Sequence, residues 1–277
     1  MPSKTLATTI RIILAGLLLS GVAAAAELVI PGSGNPEYVL GVLAKEFNAR
    51  KNEHLVSVPA STGTAGGIRD VLAGKAILGR VGRPLTESER SNGLVYVPVG
   101  RDSVVFVAGA GVTGRSVTSD QMIDVFSGKI TDWRELGADP APIRVIGREM
   151  GDASRKALAS HIKAFRDISF GPGVKVVHLD PQMLDLLDRY ETSLGFLNRS
   201  ALYAAKTKVV PLTLDAVEPT PANLASGRYP VWIEFGLIHK VDAALTGEAR
   251  AFMNFLKSPE GVRILRAHGV APIGAGD

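Results

Sequence analysis

The chain has 277 residues, with 31 Lys and Arg against 27 Asp and Glu, 6% aromatics and no cysteine. Setting aside Lys4 and Arg11 in the leader leaves 29 basic residues and a net charge of +2; with no basic run, this argues against nucleic acid or an anionic membrane as partner. The lack of cysteine excludes disulfides and lipid attachment through a thiol.

Residues 1–26 read as a cleaved secretory signal: Lys4 and Arg11, an apolar run from Ile12 to Leu19, then small residues from Ala23 to Ala26. The run is too short to span a bilayer. The remaining chain, about 250 residues, suffices for two modest lobes and is expected free in an extracytoplasmic compartment, most simply a bacterial periplasm.

From residue 27 to 110 strands and helices alternate. "ELVIPG" reads as a strand and Glu37 to Asn48 as a helix, because Val39, Leu40, Leu43 and Phe47 fall on one face. "HLVSVPA", "AGGIRDVLAGK" and "AILGRV" continue the alternation of an α/β sheet, followed by the apolar "LVYVPVGRDSVVFVAG". Thr118 or Ser119 caps a helix that stops at Gly128. "IRVIG" is a strand, "ASRKALASHIKAF" a helix and "VKVVHL" a strand. "DPQMLDLLDRY" reads as a helix with Asp180 as its cap and Pro181 in its first turn. After the strand "SLGFLN" come "KVVPLTL", an ordered Pro-rich surface loop at "DAVEPTPANLASGRYP", the strand "VWIEFGLIHK" and one helical stretch, "GEARAFMNFLKSPEGVRILRAHG".

Three segments share one physical logic, a strand ending in small residues that feeds a helix: "PGSGNPEYVL", "STGTAGGIRD" and "GREMGDASRKAL". Each exposes backbone N–H groups at a helix start, where the helix dipole favours negative charge. Nucleotide fingerprints are absent, since "GSGNPE" has no third glycine and no GxxxxGK[ST] occurs. His54, His161, His178, His239 and His268 stand singly, without metal-ligand spacing, and no G-x-S-x-G elbow frames a nucleophile. Neither a metal, a cofactor nor an enzymatic activity is expected.

"VLAGKAILGRVGRPLTESE", "VFSGKITDW", "PTPANLASGRYPV" and "ARAFMNFLKSPEGVRILRAHGVAPI" together resemble the phosphate-type periplasmic substrate-binding proteins of ABC importers, the type-II solute-binding fold. The resemblance spans nearly all of the chain after the leader. It implies an α/β fold of two lobes joined by crossover segments, closing on a small oxyanion, phosphate in the first place, which a monomeric receptor hands to ABC transporter membrane subunits. The first lobe is expected from 27–107 plus 196–277, the second from 108–195. A signalling or scaffold protein of the same fold, with an altered or lost anion site, is the alternative.

Carried over residue by residue, the resemblance implies that Arg148 grips the anion with its guanidinium fork, as an exposed cleft arginine whose removal would leave folding nearly unchanged. Ser154 keeps a hydroxyl, while Asp152 and Ala153 replace a serine and a glycine. Thr64, Gly66 and Gly67 form the second loop. Ser33, Gly34 and Asn35 serve the first, with Pro36 where a threonine is frequent. Gly82 and Arg83 replace a Ser-Asp pair, so the carboxylate that would accept a ligand proton is missing from its usual place. Arg83 stands as a reserve cation. Asp152 either supplies that acceptor from the other lobe or caps the helix that starts at Ala153, and the two roles are compatible.

Overall fold

The computed structural model describes residues 27–50, 54–205 and 207–274; the leader read in residues 1–26 lies outside them. The chain begins β1 (Glu27–Val29), α1 (Glu37–Asn48), β2 (Leu55–Ser57), α2 (Gly63–Leu72), β3 (Gly79–Val81), then a short α3 (Glu87–Ser91) and the long β4 (Leu94–Ala108). Its middle is β5 (Ser116–Val117), α4 (Ser119–Ser127), β6 (Arg144–Arg148), α5 (Ala153–His161), β7 (Lys175–Val177), α6 (Asp180–Arg189) and β8 (Ser193–Asn198). It closes with α7 (Arg199–Ala205), β9 (Val210–Pro211), β10 (Thr213–Leu214), α8 (Pro221–Ala225), β11 (Trp232–Lys240), α9 (Gly247–Lys257), α10 (Pro259–Ala267) and β12 (Val270–Pro272).

β4 is the strand that makes two lobes out of one chain. Its first part pairs antiparallel with β11, from Leu94 opposite Lys240 to Ser103 opposite Trp232. Its last part pairs with β8, from Val104 opposite Asn198 to Ala108 opposite Leu194. β3 extends the first side along β11, whereas β6 and then β7 extend the second in parallel beyond β8. Two buried cores follow. One joins Leu28, Ile30, Leu40 and Phe47 to Phe235, Phe252, Phe255 and Ile264, with Phe47 edge-on to Phe252 at 5.5 Å. The other centres on Phe106, Phe126, Phe165 and Phe196. Most buried apolar residues after 196 divide between them: Leu197, Tyr229 and Ile233 are among those in the second core and Phe235, Phe252 and Ile264 among those in the first, while Ile238 joins a small third cluster with Val71, Val81, Leu85 and Leu94. The stretch 196–277, read in the sequence as part of the first lobe, therefore contributes to both.

Local signals account for most element ends. Thr118 and Gln121 form the capping box of α4, and Gly128 ends it in the left-handed conformation, φ 83. Three sequence expectations change. The C-terminal helical stretch is two helices, because Ser258 accepts from the Gly261 amide and Pro259 restarts the chain as the first residue of α10. The helix of Ala153 stops at His161. Asp180 does not cap α6: Leu179 holds the N-cap position, and Asp180, one residue further, turns its carboxylate elsewhere.

Candidate functional site

The cleft between the two cores, about 780 Å³, is lined from the first by Ser33, Gly34, Asn35, Thr64, Ala65 and Arg83 and from the second by Arg148, Asp152, Ala153 and Asp180. The starts of α1, α2, α5 and α6 all open on it. First-turn amides have no partner within their own helix, so the convergence presents N–H donors and positive dipole ends to one volume.

Arg80 sets the shape of the first-core side. Fully buried on β3, it donates from Nε to the Ser33 carbonyl at 2.7 Å, from Nη1 to the Ile30 carbonyl and from Nη2 to the Pro59 carbonyl at 2.7 Å, and it pairs with Glu37 at 3.2 Å. With those carbonyls drawn inward, both loops are held around one cation. Gly32 completes the packing: at φ 140, a Cβ there would stand 2.0 Å from the Arg80 carbonyl oxygen. Thr64 Oγ1 accepts from the Gly82 amide at 3.3 Å, and a side chain at Gly82 would meet Ser33 Oγ at 2.7 Å. A serine at Gly82, where the family resemblance places the first residue of its Ser-Asp pair, would therefore need the Ser33 hydroxyl to move.

On the opposite side Arg148 ends β6 and is 5% exposed, not the exposed arginine expected. Its Nη1 donates to Asp180, its Nη2 lies 2.8 Å from Asp152 Oδ2 and donates to the His178 carbonyl at 3.0 Å, and its Nε is buried with no partner among the described residues. The fork is therefore occupied by protein carboxylates. Asp152 is the N-cap of α5, its Oδ1 accepting from the Arg155 amide at 3.0 Å. Burial pushes the Asp152 carboxyl above its ordinary range, with Asp180 adding to the rise, against the lowering pull of Arg148 and the Arg155 amide. Burial also raises Glu37 and carries Tyr38 up to about 12, and in both the Asp180 charge contributes, so the acidic groups of the two sides feel one another across the cleft.

Of the residues singled out in the sequence, Ser33, Gly34, Asn35, Thr64, Arg83, Arg148, Asp152 and Ala153 line the cleft, whereas Gly66 and Ser154 do not. Gly66 packs against Thr62, whose Oγ1 would be 2.6 Å from an added Cβ. Ser154 is fully buried and donates to Asn198 Oδ1 at 2.9 Å. Arg83 sits at the rim with both terminal nitrogens on Glu89, at 2.8 and 2.7 Å, which holds that carboxyl down to about 2. The sequence reading missed Arg80, Asp180 and Asn198. An arginine inside the apolar "AILGRV" was the available signal for the first, and a fourth strand-to-helix turn, "VHLDPQML", for the second.

Residues 20–260 match the family model of the PBP superfamily domain. A curated relative, the phosphate-binding protein PstS of Bacillus subtilis, is 26% identical over 245 residues, covering 86% of this chain and 77% of its own. A solved structure of a putative phosphate ABC transporter substrate-binding protein with bound phosphate, from Clostridium perfringens, superposes with a TM-score of 0.76 at 25% identity, covering 90% of this chain and all of that one. The ABC-type phosphate transport receptor of Vibrio cholerae gives a TM-score of 0.63 at 25% identity, covering 88% of this chain and 98% of its own.

Proposed function

We propose a receptor function for this chain, which belongs to the PBP superfamily: it captures a small oxyanion, inorganic phosphate first, in the periplasm and delivers it as a monomer to the membrane subunits of an ABC transporter. It is a binding protein, not an enzyme. The observation that carries this reading is the convergence of four helix starts and Arg148 on one cleft between two cores. Ser33, Gly34, Asn35, Thr64 and Ala153 offer hydroxyl, amide and backbone donors, and Arg148 brings its positive charge to the cleft wall. Oxygens of a tetrahedral anion bridging the lobes would stabilise closure about the Ser103–Val104 crossing of β4, a hinge motion. No helix among the described residues is long and apolar enough to cross a membrane.

One observation favours a second reading, a scaffold or signalling protein of the same fold. Arg148 is already compensated by Asp152 and Asp180, and Arg83 by Glu89. A thermal-shift panel of phosphate, arsenate, sulfate, molybdate, phosphonates and small carboxylates separates the two. A receptor gains about 2.7 kcal/mol when ligand stands at a hundred times its dissociation constant. Stabilisation by phosphate supports the receptor; a flat response to every anion supports the scaffold.

A further inference from the structure

Beneath the cleft a buried chain of polar groups runs from the first loop to the crossing strand. Asn35 Nδ2 donates to Asn198 Oδ1 at 2.9 Å and to Ser154 Oγ at 3.4 Å, and Ser154 Oγ donates to the same Asn198 oxygen at 2.9 Å. Asn198 Nδ2 donates in turn to Asp102 Oδ2 at 3.3 Å and to the Asn35 carbonyl at 3.4 Å. Asp102 is held by the Ser200 amide at 3.2 Å and by the Ser200 hydroxyl. Asn198 is 1% exposed and does not line the cleft, and Asp102 and Ser154 are fully buried.

Two lobes meet on this one carboxamide. Asn35 precedes α1 in the first core, and Ser154 lies in the first turn of α5 in the second. A carboxamide has one acceptor oxygen and a donor nitrogen, and here the oxygen takes a residue from each lobe while the nitrogen faces a carboxylate. Asp102 thereby decides which way the amide points. Asn198 itself ends β8, directly opposite Val104 where β4 passes from one sheet to the other. At that point it sits close to the axis of any relative rotation.

Resting on the receptor reading above, we propose that Asn198 is a positioning residue of the oxyanion site. It never touches the ligand; it sets the separation between the starts of α1 and α5, so donors from both lobes stand at one spacing when the anion arrives. The network is costly to leave half-made, because each buried polar group stripped of its partner loses its hydrogen bond without regaining water.

Burial raises the Asp102 carboxyl, against the lowering pull of its hydrogen bonds from Ser200 and Asn198 and of the one charged group facing it from the neighbouring helix, Arg199, which donates to the Tyr203 hydroxyl at 2.9 Å. Against this background Asn198→Asp is informative. The new carboxyl keeps an oxygen for Asn35 and Ser154 but reproduces the donation to Asp102 only while the pair holds a proton. Asn198→Leu removes both functions at similar size.

The test is calorimetric titration of the wild-type protein and both variants with inorganic phosphate from about pH 5.5 to about pH 8, read as the variant-to-wild-type affinity ratio at each pH so that the titration of phosphate cancels. Asn198→Leu is expected to bind at least about tenfold more weakly at every pH. Asn198→Asp is expected within about threefold of wild type at the acid end and about tenfold or more weaker at the alkaline end. Wild-type affinity in Asn198→Leu, or a ratio for Asn198→Asp that does not change with pH, overturns the positioning role. Should Asn198→Leu fail to fold, the pH profile of Asn198→Asp decides alone. A wild-type protein that binds no phosphate removes the receptor reading itself.

Discussion

Arg148→Ala is expected to destabilise the fold as well as silence the site. The guanidinium holds Asp180, Asp152 at 2.8 Å and the His178 carbonyl at 3.0 Å, with the three side chains between 6% and 9% exposed. Its loss strands two buried carboxylates, and breaking a buried pair from one side costs about 3–5 kcal/mol. For a chain of this size that lowers the melting temperature by about 10 °C. The deficit depends on pH in a definite direction. Burial already raises the Asp152 carboxyl against the lowering pull of Arg148, and without the cation its folded-state pKa stands further above the unfolded value, so folding is relatively favoured at low pH and loses stability as pH rises through the folded pKa. Urea melts of wild type and variant at about pH 5 and about pH 8 should show the gap widening with pH. Adding Asp152→Asn and Asp180→Asn should close much of it, since neutral amides need no counter-charge. A single variant that melts within about 1 kcal/mol of wild type at neutral pH refutes the buried dicarboxylate clamp.

Asp152→Asn should leave the phosphate-to-sulfate affinity ratio unchanged, because one oxygen caps the Arg155 amide and the other pairs with Arg148; a shift toward sulfate in competitive titrations would reassign it as a proton acceptor. Asp152→Ala, which loses the cap too, should melt lower than Asp152→Asn by about 1 kcal/mol. Burial raises Asp102 to about 7, so the folded state holds a proton that the unfolded chain releases; stability from this group falls as pH climbs from about 4 to about 7, and Asp102→Asn should flatten that slope in denaturant melts. Gly82→Ser should weaken phosphate binding while Gly74→Ala, at φ 68 but with open space around its Cβ and away from the cleft, costs stability alone; equal affinity in Gly82→Ser would show that the first loop yields easily to the 2.7 Å contact with Ser33.

The sequence carried the periodic and punctuated parts of this fold. Glu37–Asn48 was legible to the residue because one helical face holds Val39, Leu40, Leu43 and Phe47, and α4 because Thr118 and Gly128 bracket it. The split at Ser258–Pro259 was written there as well, but the apolar pattern on either side masked it. The cleft was legible at the level of loops, in that eight of the ten residues singled out line it. What each side chain does there was not legible. Whether Arg148 is free or clamped depends on Asp180, 32 residues away, and whether Ser154 faces the ligand or Asn198 depends on a pairing 44 residues apart. Such partnerships are set by which strands lie side by side, β7 and β8 on either side of β6, which no local pattern encodes.

The crossing of β4 has a consequence for how the protein assembles as it emerges. The core that contains the first strand also requires Phe235, Phe252, Phe255, Ile264 and Val270, and β12 pairs with β4 between Gly100 and Asp102. The other core is complete once the chain has passed Ile233. An N-to-C emerging polypeptide can therefore finish its middle while both its ends remain open, and the earliest-made helix, α1, must wait for α9 and α10 before Phe47 is covered. The first lobe closes last, and until it does the exposed face of α1 is the part of the molecule with most need of a chaperone.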